Sequence, residues 1–548
     1  MKKTTAGGIA LLFLFLSFTL ITGDNEQIKK DNEIFSAFFS DVHARYVDEL
    51  MPDDVLRAAI DGALHSLDPY SYFISEKDQE TNKKGWKGIL FGGIGINIIQ
   101  RDSEIVVVEV NEHYPAQTAG LRHGDLLLAA NDTSLHGMST DSVVTHLRGA
   151  AGTTLKLKIG RADTSTFEIA LTRQEIRNKP VTFSGMLNDS TGYIRFVHFL
   201  ENSSVELRDA IQKLKAENNM ISLILDIRGN TGGLLLEAVN AVNIFIPKNK
   251  NVTSLKGKAK EWNYDNPTLQ EPLDTVLPLV LLTDNYSISA AEILAGAIQD
   301  YDRGIIVGRK TFGKGFVQGT RGLPYGNSLY MTSARYYTPS GRCIQELDYR
   351  KKDANGKATH LSDSLKKEFH TSNGRIVHNI GGITPDISVE EKIEPAVITS
   401  LKKGNLFFDF ANSYRNSHPV CLISESREQK ELLYKEFVTF IASKNFPFSI
   451  PSEDALILFA EKAKVENSMD AVSGEFKRLK ESLRKNKRTM LAAFKSEIIL
   501  ELEKEIRARY QFNSGRIRVS LKTDPDVLKA LSIVKDQNSY DSLLHKRK

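Results

Sequence analysis

Residues 277–300 read LPLVLLTDNYSISAAEILAGAIQD and contain the two elements from which the centre of the chain is built. The apolar run at 277–283 is short and bounded by polar residues, as is typical of a buried strand. The segment that follows has apolar residues at a spacing that favours a helix. Ser287 and Ser289 therefore stand where a strand turns into a helix.

The same alternation of strands and helices continues on both sides of this stretch. GYIRFVHF at 192–199 and SLILDI at 222–227 are further apolar runs, and apolar residues such as Leu207 and Ile211 recur between them at helical spacing. Alternation of buried strands with helices predicts a layered α/β core.

The rest of the chain has different patterns. Short β-rich runs bounded by Gly, Asn and Asp, such as EIVVVEV and TLKLKIG, indicate a β-rich module. Both ends of the chain have apolar residues at helical spacing. We therefore expect an α/β multidomain protein with a leader or anchor at 1–23, an N-terminal helical region at 24–85, the β-rich module at 86–173, the α/β core at 174–395 and a mainly helical C-terminal region at 396–548.

The composition is that of a globular protein. Of 548 residues 41% are hydrophobic and 26% charged, and the net charge is only +4. A charge this small gives no indication of nucleic-acid binding. Cys343 and Cys421 are the two cysteines, which excludes a disulfide framework and permits at most one bridge.

The N-terminus, MKKTTAGGIALLFLFLSFTLITGD, has two lysines before an apolar run from Gly7 to Thr22. This is the pattern of a secretory signal. As a helix the run would extend about 24 Å, short of the ~30 Å hydrocarbon core of a bilayer. We expect an exported protein of the periplasm or cell envelope, in contact with a membrane only if this segment is retained as an anchor.

The serines at the strand-to-helix junction have two interpretations. Ser289-x-x-Glu292 before an apolar run fits a capping box, in which the serine and the glutamate satisfy backbone amides of the first helical turn. The alternative is that one serine is a nucleophile, which requires a base. No histidine occurs between His198 and His360, so we looked for a neutral lysine, since burial penalises the charged form of lysine.

Lys314, in GRKTFGKGFVQG, has apolar and small neighbours and no adjacent carboxylate. Gly308 to Lys314 also fits most of a phosphate-binding P-loop, but Gly315 stands where that motif needs Ser or Thr. The residues that follow alternate like strands, whereas a P-loop opens a helix. The sequence therefore favours a lysine base over nucleotide binding, and neither a metal nor another cofactor is expected.

LDIRGNTGG at 225–233 runs from a strand end into glycines. On its own it fits a tight turn. Gly229 would also let a backbone amide approach a reacting carbonyl, and the amide after a nucleophilic serine can be the second donor of an oxyanion hole. Serine, lysine and this turn would together supply a nucleophile, a base and oxyanion donors.

These residues resemble those of the C-terminal processing, or tail-specific, peptidases, which are PDZ-containing serine proteases with a Ser-Lys dyad. The resemblance covers most of residues 40–390 in chain order. It rests on the motifs YVDE, LDPYSYF, FGGIGI, PAQTAGLRHGD, LDIRGNTGG, SISAAEILAGAIQD, VGRKTFGKGFVQ, ARYYTPSGRCIQ and GGITPDI. Ile288, Ala291 and Thr231 depart from the family pattern without removing a reacting group.

The resemblance implies a role for each site residue. Ser289 would be the nucleophile and Lys314, 25 residues later, the base. Gln318 would orient the lysine, and the amides of Gly229 and Ala290 would form the oxyanion hole. A minor supporting role is assigned as well, to Asp300.

By the same resemblance the β-rich module is a PDZ domain. Its loop would capture the C-terminal carboxylate of a substrate through backbone amides, and the residues concerned are Gly92, Gly93, Ile94, Gly95 and Ile96. The implied partners are proteins or peptides with free, apolar C-termini, with no nucleic acid, and a homodimer is left open. The alternative from another class is an adaptor or chaperone that binds tails without cleaving them.

Overall fold

In the computed structural model the chain is described over residues 6–161, 164–423, 426–444 and 451–545. Internal contacts divide it into two units. One contains the N-terminal residues to Glu80 together with 317–334 and 348–359, and the other contains 81–316, 335–347 and 360–548. Both cysteines are free thiols.

The N-terminal region is mainly helical, as predicted. Its elements are α1 (Ala6–Arg45), α2 (Pro52–His65), β1 (Tyr72–Ile74) and α3 (Gln79–Trp86). Residues 1–5 of the expected leader lie outside the described residues, and its remainder is the beginning of α1. In the part of the chain that the structure describes, no helix combines the length and the apolar character needed to span a bilayer.

The β-rich module follows. Its elements are β2 (Ile89–Gly93), β3 (Ile96–Arg101), β4 (Glu104–Val110), α4 (Pro115–Thr118), β5 (Leu126–Ala130), β6 (Thr133–Ser134), α5 (Thr140–Leu147), β7 (Thr154–Arg161), β8 (Thr164–Thr172) and β9 (Gln174–Arg177). Strands β3, β4, β5, β7 and β8 form one sheet in that order, so β3 is an edge strand among the strands that the structure describes. Ser139 caps α5 by accepting the amide of Ser142 at 3.3 Å.

The central region alternates strands and helices as predicted. Its elements are β10 (Val181–Met186), β11 (Thr191–Phe196), α6 (Ser203–Asn218), β12 (Ser222–Asp226), α7 (Leu235–Asn243), β13 (Asn251–Gly257), β14 (Tyr264–Pro267), β15 (Leu279–Thr283), α8 (Ala290–Asp300), β16 (Ile305–Gly308), β17 (Phe316–Gly322), β18 (Ser328–Tyr337), β19 (Leu347–Lys352), β20 (Ala358–His360), β21 (Glu368–His370), β22 (Ile376–His378) and β23 (Ile387–Ser388). In the N-terminal unit β1 pairs antiparallel with β18, so a short strand interrupts the helical region.

The sheet that positions the site has the order β10-β11-β12-β15-β16-β23 among the described strands. From β11 to β23 the pairing is parallel, with Ile224 opposite Val280 and Leu281 opposite Ile306. Every residue of β15 is buried, so both faces of the sheet are covered. The carboxyl ends of β12, β15 and β16 meet at one edge, where connecting loops carry chemistry in such folds.

The C-terminal region is helical, as predicted. Its elements are α9 (Ala396–Lys403), α10 (Leu406–Ser417), α11 (Arg427–Ser443), α12 (Pro451–Val465), α13 (Met469–Ala493), α14 (Lys495–Leu521), α15 (Pro525–Lys535) and α16 (Gln537–Leu543). Helices α9, α10 and α11 pack with the first half of α14 around Phe407, Phe437 and Leu502. Helix α14 changes direction at Phe512, whose φ of 52° is outside the helical range.

Beyond Phe512 the chain packs on the central sheet. Val527, Ala530 and Tyr540 form one apolar cluster with Val280 and Leu282 of β15. Because side chains alternate along a strand, Leu279 and Leu281, which are also buried, face the opposite side of the sheet. The last helices of the chain therefore complete one layer of the α/β core, which periodicity alone could not predict.

Candidate active site

The serine turn lies between the end of β15 and the start of α8. Ser289 has φ 59° and ψ −113°, a conformation that side-chain-bearing residues rarely adopt. Such strain persists only where surrounding contacts impose it, and it is frequent at reactive positions. Ser289 is half-buried, and Ala290 is the first residue of α8. The amide of Ala290 is therefore one of the helix-terminal donors that have no partner within the helix.

Glu292 connects the serine turn to the loop that carries Lys314. Its Oε2 accepts the backbone amide of Ser289 at 2.8 Å and that of Lys314 at 2.9 Å. Its Oε1 accepts the hydroxyl of Thr311 at 2.6 Å and the amide of Gly313 at 2.6 Å. Glu292 is fully buried, and burial raises the pKa of its carboxyl although the four hydrogen bonds favour the charged form.

The capping box is therefore only part of what Glu292 does. Its carboxylate binds the amide of Ser289, as a capping box requires, while its own amide donates to the backbone oxygen of Ser289 at 2.8 Å. Ser287 caps nothing here, because its hydroxyl donates to the oxygen of Ile227 at 2.9 Å and accepts the amide of Asp284.

Lys314 lies in the loop between β16 and β17 and is half-buried. A strand rather than a helix follows it, as predicted. The flanking glycines are required by packing: a Cβ at Gly313 would lie 2.6 Å from the Cβ of Glu346, and one at Gly315 would lie 3.0 Å from the nitrogen of Gln345. The amide of Phe312 also donates to the oxygen of Ser287 at 3.2 Å, so the lysine loop is bonded to the serine turn at a second point.

The glycine turn at 228–233, which follows β12, packs against the serine turn. The glycine in contact is Gly232 and not the predicted Gly229. The oxygen of buried Asn230 accepts the amide of Ile288 at 2.9 Å. A Cβ at Gly232 would lie 3.0 Å from both the Ala290 nitrogen and the Ser289 Cβ, whereas one at Gly229 would have no neighbour within 4 Å.

The role predicted for Gly229 in the oxyanion hole stays a prediction. Its amide donates to Oδ1 of Asp284 at 3.0 Å, so in this structure it is bonded within the chain. Gly232 is the glycine that lies against Ser289, and its φ of 92° is accessible mainly to glycine. Ala290 lies where it was predicted, at the first amide of α8.

Asp300 lies away from the serine turn, at the other end of α8. Asp300 ends α8, about 16 Å along the helix from its start. There it binds Arg342 at 2.7 Å and the amide of Ser340 at 3.0 Å. Gln318 lies in the N-terminal unit and donates to Thr332 Oγ1 at 3.0 Å. Its role toward the lysine stays a prediction.

The predicted tail-binding loop lines a groove of about 710 Å³. Four of the five predicted residues line it: Gly93, Ile94, Gly95 and Ile96. Gly92 does not, because it packs against the backbone of residues 149–151, where a Cβ would lie 2.1 Å from Gly149 O. The opposite wall is α5, which contributes Val144 and Leu147. An apolar groove between an edge strand and a helix is thus present.

Besides Gly232, sequence reasoning missed three residues of the site. Glu292 was seen as a helix cap, while Asn230 and Asp284 were not singled out. Asn230 stands in the RGN motif and Asp284 follows β15 directly, so position relative to the strand ends was the available signal.

Comparison with known proteins agrees with this geometry. The sequence profile of Peptidase family S41 matches residues 190–350, that of the PDZ domain matches 92–171, and that of the C-terminal helical domain of probable PDZ-proteases matches 397–534. The carboxy-terminal-processing protease of Bartonella bacilliformis is 33% identical over 345 residues, which are 61% of this chain and 78% of that protein. The chain belongs to peptidase family S41.

Two further proteins are also similar to this chain. A probable CtpA-like serine protease of Staphylococcus aureus is 33% identical over 324 residues, 59% of this chain and 63% of that protein. Among solved structures, a photosystem II D1 C-terminal processing protease is 24% identical, with a TM-score of 0.35, covering 66% of this chain and 88% of that one. This S41 protein is a serine peptidase with a PDZ domain, as the resemblance implied.

Proposed function

We propose that this S41 peptidase is an exported endopeptidase that binds the C-terminal tail of protein substrates in its PDZ groove and cleaves them with a Ser289–Lys314 dyad. The observation that carries the proposal is the shared acceptor. Because the amides of Ser289 and Lys314 both donate to Glu292 Oε2, their nitrogens lie within about 6 Å of each other. The side chains of Ser289 and Lys314 therefore extend from neighbouring backbone positions that are both bonded to Glu292.

In the proposed mechanism the Ser289 hydroxyl attacks the substrate carbonyl while neutral Lys314 takes its proton. Lys314 then returns the proton to the leaving amine, and water releases the acyl group from Ser289 by the same steps in reverse. Gln318 would orient the lysine.

The Ala290 amide would donate to the oxyanion, and a donor of this kind contributes roughly 3 kcal/mol. The absence of a side chain at Gly232 keeps the space beside that amide open. The Gly229 amide becomes available to an oxyanion only when Asp284 releases it.

Tail recognition is supported by the form of the groove. An extended peptide can pair with the free edge of β3, and the loop amides of residues 93–96 can bind its terminal carboxylate. Val144 and Leu147 would contact the last side chains, which favours apolar tails. Export is supported by the lysines and apolar run at the N-terminus.

The test is cleavage of one unfolded polypeptide with an apolar C-terminus, offered with a free carboxylate or as its amide. We expect wild type to cleave the free acid faster, Ser289→Ala and Lys314→Ala to lack activity while remaining folded, and the rate to rise with pH as the lysine loses its proton. Cleavage by both variants would exclude the dyad. Equal rates on acid and amide would exclude carboxylate recognition, and envelope protein of full-length mass would show that the leader is retained.

A further inference from the structure

Asp526, in the C-terminal helical region, binds two arginines from separate loops of the core. It lies in the first turn of α15 and is 1% exposed. Its Oδ2 accepts Arg228 Nη1 at 2.6 Å and Arg309 Nη2 at 2.7 Å, and its Oδ1 accepts Arg309 Nη1 at 2.9 Å. One buried carboxylate thus joins Arg228 to Arg309.

Each arginine begins a loop of the active site. Arg228 immediately precedes Gly229, at the start of the turn that brings Gly232 against Ser289. Arg309 immediately follows β16 and starts the loop that carries Lys314. Strands β12 and β16 are the two neighbours of β15, the strand that ends at the serine turn. Asp526 therefore bridges the two loops on either side of the nucleophile.

Further contacts fix Arg228 in this arrangement. Its Nε donates to Asp226 Oδ1 at 2.9 Å, and its Nη1 donates to Asp524 Oδ1 at 3.1 Å. Tyr193 donates to the second oxygen of Asp226 at 2.6 Å. Burial opposes the charge of Arg228, but the carboxylates around it outweigh burial and raise its pKa.

The cluster is not needed merely to attach α15. Val527, Ala530 and Ile533 already pack in the apolar cluster on the central sheet. Replacing buried ion pairs by apolar residues is often neutral for stability, so such pairs are weak evidence for a purely stabilising role. Small displacements of reacting groups, in contrast, reduce rates strongly, since a 1 Å error costs up to about 10²-fold.

We propose that Asp526 is a positioning residue for peptide-bond cleavage: through Arg228 and Arg309 it holds the glycine turn and the lysine loop in register around Ser289. The inference rests on the proposed Ser-Lys mechanism. It assigns a catalytic consequence to the C-terminal helical region.

The experiment compares full-length wild type with Asp526→Asn, which keeps the shape of the side chain and removes its charge. Four quantities are measured: kcat and KM for a tailed peptide, the rate at which a small fluorophosphonate labels Ser289, and the melting temperature. We expect kcat and the labelling rate to fall tenfold or more while KM stays within twofold. The small probe requires no tail binding, so it reports on the cleavage site alone.

The matched control is Asp536→Asn. Asp536 caps α16, accepting the amide of Ser539 at 3.3 Å, and touches neither loop. We expect it to lower the melting temperature without changing kcat by more than twofold. An equal loss of kcat in Asp526→Asn and Asp536→Asn would show that general destabilisation causes the loss, and it would overturn the proposal.

A second variant, Arg309→Gln, breaks the lysine-loop half of the bridge and decides the matter if Asp526→Asn does not fold. We expect a similar fall in kcat, and the double variant should be no worse than the stronger single one. Wild-type kcat in folded Arg309→Gln or Asp526→Asn would overturn the proposal. Ser289→Ala is assayed in parallel, and its continued cleavage would instead overturn the Ser-Lys mechanism.

Discussion

The backbone amide of Lys314 donates to Glu292 Oε2 at 2.9 Å across 22 residues of sequence. Ser289 donates to the same oxygen. A single buried carboxylate therefore joins the loop that carries Lys314 to the turn that carries Ser289. Because it accepts backbone amides, it fixes both positions through the main chain and not through the side chains of Ser289 and Lys314.

We predict that Glu292→Gln lowers kcat by about 10²-fold, because an amide offers one acceptor oxygen where the carboxylate offers two. The free energy of unfolding should fall by about 1–3 kcal/mol for the donors left without a partner. Steady-state kinetics and denaturant unfolding measure the two effects. Glu505→Gln, which removes carboxylate contacts to Arg509 and Arg516, should lower stability with little change in kcat. Wild-type kcat in Glu292→Gln would contradict the prediction.

We predict that Gly232→Ala lowers kcat by more than about 10²-fold. The new Cβ would lie 2.7 Å from Ile288 O and 3.0 Å from the Ala290 amide nitrogen. Gly356→Ala is the control: Gly356 has φ 77° and open space around it. In both variants the free energy of unfolding should fall by about 1–2 kcal/mol, because alanine is disfavoured in the left-handed backbone conformation. Only Gly232→Ala should lose activity. Parallel losses of activity would show that strain alone is responsible.

We predict that the contribution of Asp226 to stability depends on pH. Burial alone would raise the pKa of Asp226, but Arg228 and the hydrogen bond from Tyr193 bring it below its ordinary value of 3.8. A lowered folded-state pKa stabilises the fold above that ordinary value, and the contribution is lost as pH falls through the folded-state pKa.

Thermal unfolding of wild type and Asp226→Asn between about pH 3 and 7 tests this sign. The difference in melting temperature should be largest near neutral pH and shrink below about pH 4. Tyr193→Phe, which removes one donor and keeps the carboxylate, should retain the pH dependence at reduced size. A difference that is constant across this range would be incompatible with the assignment.

We predict that Val144→Asp raises KM about tenfold for a peptide with a free, apolar C-terminus, because a charge replaces an apolar contact worth about 1.5 kcal/mol. Thr145→Asp is the matched control, since Thr145 is exposed on the same helix and outside the groove. Similar KM values for the two variants would place tail binding elsewhere.

The sequence by itself determined the class of each part of the chain. The apolar runs at 222–227 and 277–283 predicted buried strands, and helical spacing predicted the terminal regions, because hydrophobic periodicity is a local property of an element. The ordered motifs singled out Ser289 and Lys314 for the same reason, because residue type and spacing can be read directly from the sequence.

Only the tertiary structure decided which backbone segments meet. From the sequence, Glu292 looked only like a helix cap. Gly229 was singled out in the glycine turn, but Gly232 is the glycine that packs against Ser289. The C-terminal helices gave no indication that they cover the central sheet. The contacts of Glu292 and Asp526 join residues far apart in sequence, and their partners depend on the order and direction of parallel strands. Periodicity shows that a face is buried but not what covers it, so those relationships arise only when the layers pack.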